Sequence, residues 1–436
     1  MRTNRMTRRT FLRFTGVAAG GAFLAACAPA AAPAPAAGGA AAPVEVRLMA
    51  WGNPTEVEAR EATIDMFHQA NSGITIRFQH TPDNYYDKLQ TMLAGGDIPD
   101  VIYIGNGDIP SYATRNQLAA FDPLIERDQF DTSDIFPRNL ALYNVDDVQY
   151  GFPADAPNQQ LFYNVTRFQE AGIDAPSSDW ADPSWDWDTF VEAAKALTNK
   201  EQNQWGWQTK RDFRAWWIWV KANGGSFFSE DGSACLLNEE PAVEAFQFLA
   251  DLIHVHQVAP TIDVASEMGS AELFEGSITA METWWPAIGR MRTNIQAFEW
   301  DVAPHPEGDV GKATSGGGTG HTIAQGSRQI DAAWEFVKFM ISTEAVEKWT
   351  EIMGIVPPLQ SVAETDTFLQ PGKPPAHITV FTEGNNYLHP DPRHTKFPQA
   401  RLVAETELDF LWTGARTAQE VTDSIVEQVN ALIREG

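Results

Sequence analysis

Between Val44 and Gly105 the hydrophobic period switches repeatedly between two residues and three to four, and few architectures accommodate that. "VEVRLMAW" (44–51) alternates, with Val44, Val46 and Leu48 on one side. Glu56–Ala70 carries Val57, Ile64 and Phe67 at near-helical spacing and stops at Asn71-Ser72-Gly73, a C-cap sequence. Ile74, Ile76 and Phe78 alternate again. Tyr85–Ala94 is helical with Gly95-Gly96 as its stop, and "PDVIYIG" (99–105) is a continuous apolar run of buried-strand type. Strand, helix, strand, helix, strand predicts an α/β fold built on a doubly wound parallel sheet. Ligands of such sheets bind beyond the carboxyl ends of the strands. Those ends are Trp51-Gly52-Asn53, Gln79-His80-Thr81 and Gly105-Asn106-Gly107-Asp108, all polar or glycine-rich. Further helices are predicted over Pro241–Val258, Ala332–Ile341 and Thr417–Arg434. No internal repeat is present.

The segment ahead of this pattern has a different logic. "MTRRTFLRFTGVAAGGAFLAACAP" (6–29) is basic at its start, with Arg8-Arg9 in the manner of a twin-arginine export signal. Its apolar run, Phe14–Ala26, is shorter than the ~20 residues of a bilayer span. Leu24-Ala25-Ala26-Cys27 resembles the bacterial lipobox, in which cleavage precedes a cysteine that then carries lipid. Residues 1–26 are therefore expected to be a signal peptide, Cys27 a lipidation site, and residues 27–43, nearly all Ala, Pro and Gly, a tether. The alternative is an uncleaved N-terminal anchor. This predicts an extracytoplasmic protein held to the cell membrane by lipid.

Residues 44–436 exceed one ordinary core and predict two domains. Residues 1–26 hold five arginines and no acid. The remainder therefore carries 26 basic against 58 acidic residues, a net −32, which repels nucleic acid and anionic lipid. After Cys27 the only cysteine is Cys235, so no intrachain disulfide is available to the exported chain. Fifteen tryptophans in an acidic exported chain belong either to a core or to a binding cleft.

Several segments, in order, resemble the sugar-binding family of bacterial ABC-importer solute-binding proteins that includes maltose-binding protein. They are "YYDKLQTMLAGGDIPDVIYI", "YGFPADAPNQQLFYNVTRFQEAGIDAP", "ELFEGSITAMETWWP", "AAWEFVKFMISTEAVEKW" and "TAQEVTDSIVEQVNALI". The resemblance implies a two-lobe periplasmic-binding-protein fold whose lobes close on a ligand in the cleft between them. It places hinge crossovers near Phe152–Tyr163, Ser315–Thr322 and Gly354–Leu359. One lobe would comprise 44–155 with 320–354, and the other 156–319 with 355–436. A membrane permease would be the partner and a monomer the expected state, with no cofactor, metal or nucleic acid. One departure is visible: Ile104 stands where maltose-binding protein has a stacking Trp, which weakens a maltodextrin specificity.

A sugar offers an apolar face to aromatic rings and hydroxyls to Asp, Asn, Glu, Arg and His. Strand ends supply Trp51, Asn53, Asn106 and Asp108, and Tyr85 opens the second helix. Asp155 and Asn158 fall at the first crossover, and Gly317 and His321 at the second. Trp216 and Trp217 precede "KANGG"; Trp284 and Trp285 follow "AME", where the resemblance puts a ligand-facing aromatic. Each has a structural alternative. Trp216, Trp217 and Trp219 cannot all share one helical face, so core positions compete with cleft positions. Asp108 can cap the helix that Pro110 opens, Asp155 can serve the hinge alone, and His321 can serve backbone pairing. The triple glycine Gly316–Gly318 suits a tight crossover.

Enzyme motifs fail. There is no G-x-S-x-G, and "GDVGKAT" (308–314) lacks the first glycine and the Ser/Thr of a P-loop. His254, His256, His389 and His394 have no metal-ligand spacing. A carboxylate pair of glycosidase type is not excluded by counting, so a secreted carbohydrate-active enzyme is the alternative of another class. Within the binding class, glycerol 3-phosphate or a glycerophosphodiester is the rival ligand, using Arg211, Arg214 or Arg393, and polyamines also suit an acidic cleft. A neutral or weakly polar carbohydrate, an oligosaccharide first, is the expectation. Two or more arginines facing the cleft would speak against it.

Overall fold

The computed structural model describes residues 43–435 apart from 269 and 287. The export segment, Cys27 and the tether through residue 42 lie outside the described residues. Among the described residues no helix is long and apolar enough to cross a membrane.

Two sheets organise the chain. The first has five strands in the order Ile74–His80, Val44–Ala50, Val101–Gly105, Thr319–Ile323, Gly151–Pro153. The three predicted strands are parallel, with Val44 opposite Ile74 and Leu48 opposite Val101. The sheet is not wholly parallel, however. Thr319–Ile323 runs antiparallel to both of its neighbours. That strand returns from a distant part of the chain, so no local periodicity announced it. Val46, Leu48, Met49 and Ala50 are fully buried on both faces, as befits a strand covered by helices on both sides.

The helix Pro54–Ala70 begins where Asn53 accepts hydrogen bonds from Thr55 N and Glu56 N at 2.9 and 3.1 Å, while Glu56 accepts from Asn53 N at 2.7 Å. This reciprocal cap satisfies amides that the first turn leaves free. Pro54 adds a preset φ at a position that needs no donor. The cap therefore fixes Asn53 and Glu56 at the carboxyl end of the first strand. Farther along, Phe67 packs edge-on to Phe336, centroids 5.1 Å apart.

The second sheet runs Trp300–Ala303, Gln160–Asn164, Thr279–Trp284, Trp205–Gln208. Helices Phe213–Ala222, Glu240–His254, Phe397–Trp412 and Ala418–Arg434 share the main core on this side. The chain passes from the first sheet to the second between Pro153 and Gln160 and returns between Ala303 and Thr319. A third connection follows helix Thr343–Met353: Val356 joins the cluster around Phe162, whereas Leu359 packs in the first core. This is a two-lobe α/β fold.

Candidate ligand-binding cleft

A cavity of about 830 Å³ opens between the ends of the two sheets. From the first sheet it takes Trp51, Asn53, Glu56, Tyr86, Asn106 and Asp108, with Asp155 from the first crossover and Gly317 from the second. From the second lobe it takes Arg214, Trp285, Asp391, Phe397 and Arg401.

Trp51 is half-buried and held by three rings behind it: Tyr85 at 4.6 Å, Tyr103 at 4.9 Å and Tyr86 at 5.7 Å between centroids. Edge and tilted contacts of this kind orient an aromatic without covering its outer face. Tyr85 donates to Met49 O at 3.0 Å, and burial pushes its phenol well above the usual range. Tyr86 accepts from Gly105 N at 3.1 Å and donates to the Asp108 carboxylate. Burial raises the Asp108 carboxyl above its ordinary value, and the Tyr86 hydroxyl opposes the rise. Asp108 makes no side-chain hydrogen bond to the helix after it, so the capping alternative does not describe it.

Asn106 clamps the second crossover: its backbone N–H donates to Gly318 O and its side-chain Oδ1 accepts from Gly318 N, both at 3.0 Å. A Cβ at Gly317 would lie 2.3 Å from Asn106 Oδ1, and one at Gly318 would lie 2.4 Å from Asp155 Oδ1. The triple glycine is therefore required by close approach. Asp155 accepts from Thr319 N at 3.1 Å and from Thr319 Oγ1 at 3.3 Å. Burial pushes its carboxyl up to about 7 although both hydrogen bonds favour the ion.

On the opposite wall Arg214 forms a bidentate pair with Asp391, 2.8 and 2.7 Å, and its guanidinium lies 5.2 Å from the Trp285 ring. Such a pair fixes the guanidinium plane. Aromatic faces and polar groups thus meet the cavity from both lobes.

Of the residues singled out from sequence, Trp51, Asn53, Asn106, Asp108, Asp155, Trp285 and Gly317 line this cavity. The structure places seven others elsewhere. Tyr85 is buried behind Trp51, and its neighbour Tyr86 takes the wall position. Asn158 is fully buried, donating to Phe381 O at 2.8 Å and accepting from Gln160 Nε2 at 2.6 Å. Trp216 sits against Phe213 and Phe246 in the core. Trp217 stacks on Phe213 and donates to Pro390 O. Nearly every face of helix Phe213–Ala222 is covered, so Trp216, Trp217 and Trp219 are all core. Trp284 turns away from Trp285, because strand residues alternate. It packs beside the Phe162 cluster with Lys210 Nζ 4.0 Å from its ring centroid. His321 lies in the strand between two others, against Tyr103, and burial pushes it down to about 3. Arg393 is spent on the carbonyls of Asn144 and Ala141. Ile104 is core.

Reading the sequence missed Glu56, Tyr86, Asp391, Phe397 and Arg401 as wall residues. For Glu56 a signal existed, the Asn-x-x-Glu capping box. Asp391 and Arg401 lie in segments that no motif marks.

Residues 62–375 match the family described as bacterial extracellular solute-binding protein, and the chain belongs to that family. Over 237 residues it is 29% identical to the arabinooligosaccharide-binding protein of Halalkalibacterium halodurans, a match covering 52% of this chain and 51% of that one. The match thus spans about half the length of that relative. The sn-glycerol-3-phosphate-binding periplasmic protein of Shigella flexneri serotype 5b is 25% identical over 390 residues, 80% of this chain and 84% of the other. An ABC substrate-binding protein of Listeria monocytogenes, solved in complex with cycloalternan, superposes with a TM-score of 0.78 at 25% identity, over 90% of this chain and 99% of that one.

Proposed function

We propose that the chain captures a carbohydrate in the interlobe cleft and delivers it to the membrane permease of an ABC importer. The observation that carries this reading is the cavity wall itself. Trp51, backed by three tyrosines, and Trp285, backed by Arg214, offer ring faces to a sugar. Asn106, Asp108 and Asp155 offer hydroxyl partners beside them. The ligands of two relatives, an arabinooligosaccharide and cycloalternan, agree with it. The lobes, taken as 44–155 with 320–354 and 156–319 with 355–436, close on the ligand by bending at the crossovers. The protein works as a monomer without turning its ligand over.

Glycerol 3-phosphate is the second reading. It is favoured by the Shigella relative and by Arg214 and Arg401, two arginines on the wall. That count meets the condition set against a neutral sugar. Four carboxylates share the same wall, however, and one of them already binds Arg214 through two hydrogen bonds. A phosphate entering there meets more negative charge than positive.

The test is tryptophan emission and thermal melting of the purified protein against oligosaccharides and sn-glycerol 3-phosphate. An upward melt shift by mass action with a sugar, accompanied by an emission change, supports the carbohydrate reading. A shift with the phosphate ester alone replaces it, and cleavage of a sugar moves the protein to the enzyme class. Cys27 is proposed to hold the protein to the membrane by lipid. Cys27→Ala is expected to release it, and continued membrane retention of that variant refutes the anchor.

A further inference from the structure

The charges on the cleft wall do not balance. Its carboxylates are Glu56, Asp108, Asp155 and Asp391; its cations are Arg214 and Arg401. Asp391 takes Arg214, and both arginines act on Asp108 to favour its ionised form. Glu56 and Asp155 remain, in the corner beside Trp51, and Glu56 acts on Asp155 as a like charge. One further cation lies behind them. Arg60 is fully buried, its guanidinium 4.1 Å from the Tyr103 ring. It lies off the cavity wall and donates no hydrogen bond to either carboxylate, although its charge favours the ionised form of Asp155. The corner therefore offers two acceptor groups and an aromatic face, and among the described residues neither carboxylate is in an ion pair with a wall cation. Paired carboxylates and an indole face together suit an ammonium group, through charge-assisted hydrogen bonds and cation–π attraction.

We infer that the ligand is a carbohydrate bearing a protonated amine, an amino sugar or aminocyclitol unit, whose ammonium group sits between Glu56 and Asp155 beside Trp51. This rests on the carbohydrate reading above and narrows it. A neutral sugar leaves Asp155 either protonated or beside Glu56 as a like charge in the closed cleft. A phosphate ester brings further negative charge to the same corner. An ammonium group cancels the repulsion and fills both acceptors, which is a difference in affinity between otherwise matched ligands.

The experiment is calorimetric titration of the full purified protein with matched pairs: cellotriose against chitotriose, and maltotriose against its 2-amino-2-deoxy analogue, with sn-glycerol 3-phosphate alongside. In at least one linkage the amine-bearing member is expected to bind about tenfold or more tightly than its hydroxyl counterpart, the factor appropriate to a charge-assisted hydrogen bond. Glu56→Gln and Asp155→Asn should each pull that ratio toward unity; Gln at position 56 retains the helix cap. Equal or tighter binding of the hydroxyl members overturns the inference and leaves the carbohydrate reading standing. Binding of the phosphate ester alone, or of no sugar at all, overturns both.

Discussion

Arg214 and Asp391 face each other in a fork of two hydrogen bonds, 2.8 and 2.7 Å, although 177 residues separate them in the chain. Asp391 comes from the segment that follows strand Leu388–His389 and Arg214 from the first turn of helix Phe213–Ala222. The Asp391 side chain is 5% exposed and that of Arg214 is 29% exposed. The pair therefore holds a cation on the cleft wall in a fixed plane while masking its charge.

Removing the mask should change what the cleft tolerates. Asp391→Ala is expected to cost about 1–3 kcal/mol, the usual penalty for leaving a partly buried charged group without its partner. It should also raise the affinity for sn-glycerol 3-phosphate, because Arg214 is then free to meet an anion. Chemical unfolding and ligand titration read the two effects separately. Unchanged phosphate affinity in a folded variant refutes the masking role.

The tryptophans divide by location, and substitution should separate them. Trp216→Ala opens a cavity among Phe213, Phe246 and their neighbours, and is expected to cost about 3–5 kcal/mol. Affinity of the folded fraction should stay close to that of the parent. Trp285→Ala removes a half-buried ring from the cleft, so its stability cost should stay near about 1 kcal/mol. Its sugar affinity should fall about tenfold or more, as expected when an aromatic anchor is lost. The reverse pattern would place the ligand elsewhere.

Asp155 gives the fold a pH dependence of definite sign. Its carboxyl is pushed from the ordinary 3.8 up to about 7 by burial, with Glu56 adding to the rise and Thr319 and Arg60 opposing it. Tyr103 and Tyr143 face it as neutral phenols. Between those two values the folded chain keeps the proton and the unfolded chain does not. The group's stabilising contribution is therefore complete below the unfolded value and is lost as pH rises through about 7. Glu282 is also pushed up to about 7, so the parent alone does not isolate Asp155. The stability of the parent relative to Asp155→Asn should fall with pH in that window by at most about 1.4 kcal/mol per unit. Parallel stability curves for the two proteins would contradict this.

How far the sequence reaches depends on the range of the signal. Residues 44–105 announce their strands and helices because period and caps are local, and three of the five strands in the first sheet come from that stretch. The other two arrive from 151–153 and 319–323, and their pairing is set by tertiary contact. The cleft follows the same rule. Trp51, Asn53, Asn106 and Asp108 stand at strand ends and were legible. Trp284 and Trp285 are adjacent on a strand, so choosing between them means knowing which face is inside. The residues around Trp216 form a helix covered nearly all round, which no spacing argument separates from a cleft face. Arg401 and Asp391 acquire meaning only when remote segments meet.

Behind Trp284 the second sheet encloses an ion pair whose removal should be asymmetric. Lys210 Nζ lies 2.9 Å from Glu282 Oε2, with side chains 5% and 0% exposed. The ammonium also lies 4.0 Å from the Trp284 ring centroid. Burial raises the Glu282 carboxyl, and Lys210 is what pulls it back toward ionisation. Lys210→Met therefore leaves a buried carboxyl without its cation and is expected to cost up to about 3–5 kcal/mol above pH 7, where Glu282 is otherwise ionised. The loss should shrink on acidification, because a protonated Glu282 no longer needs the cation. Lys210→Met with Glu282→Gln should recover most of it, since a neutral amide of similar shape removes the unpaired charge. Chemical unfolding of the parent, both single variants and the double variant gives the coupling directly. A double variant as unstable as Lys210→Met would show that the lysine supports Trp284 and the strand end by packing, and that its charge is incidental.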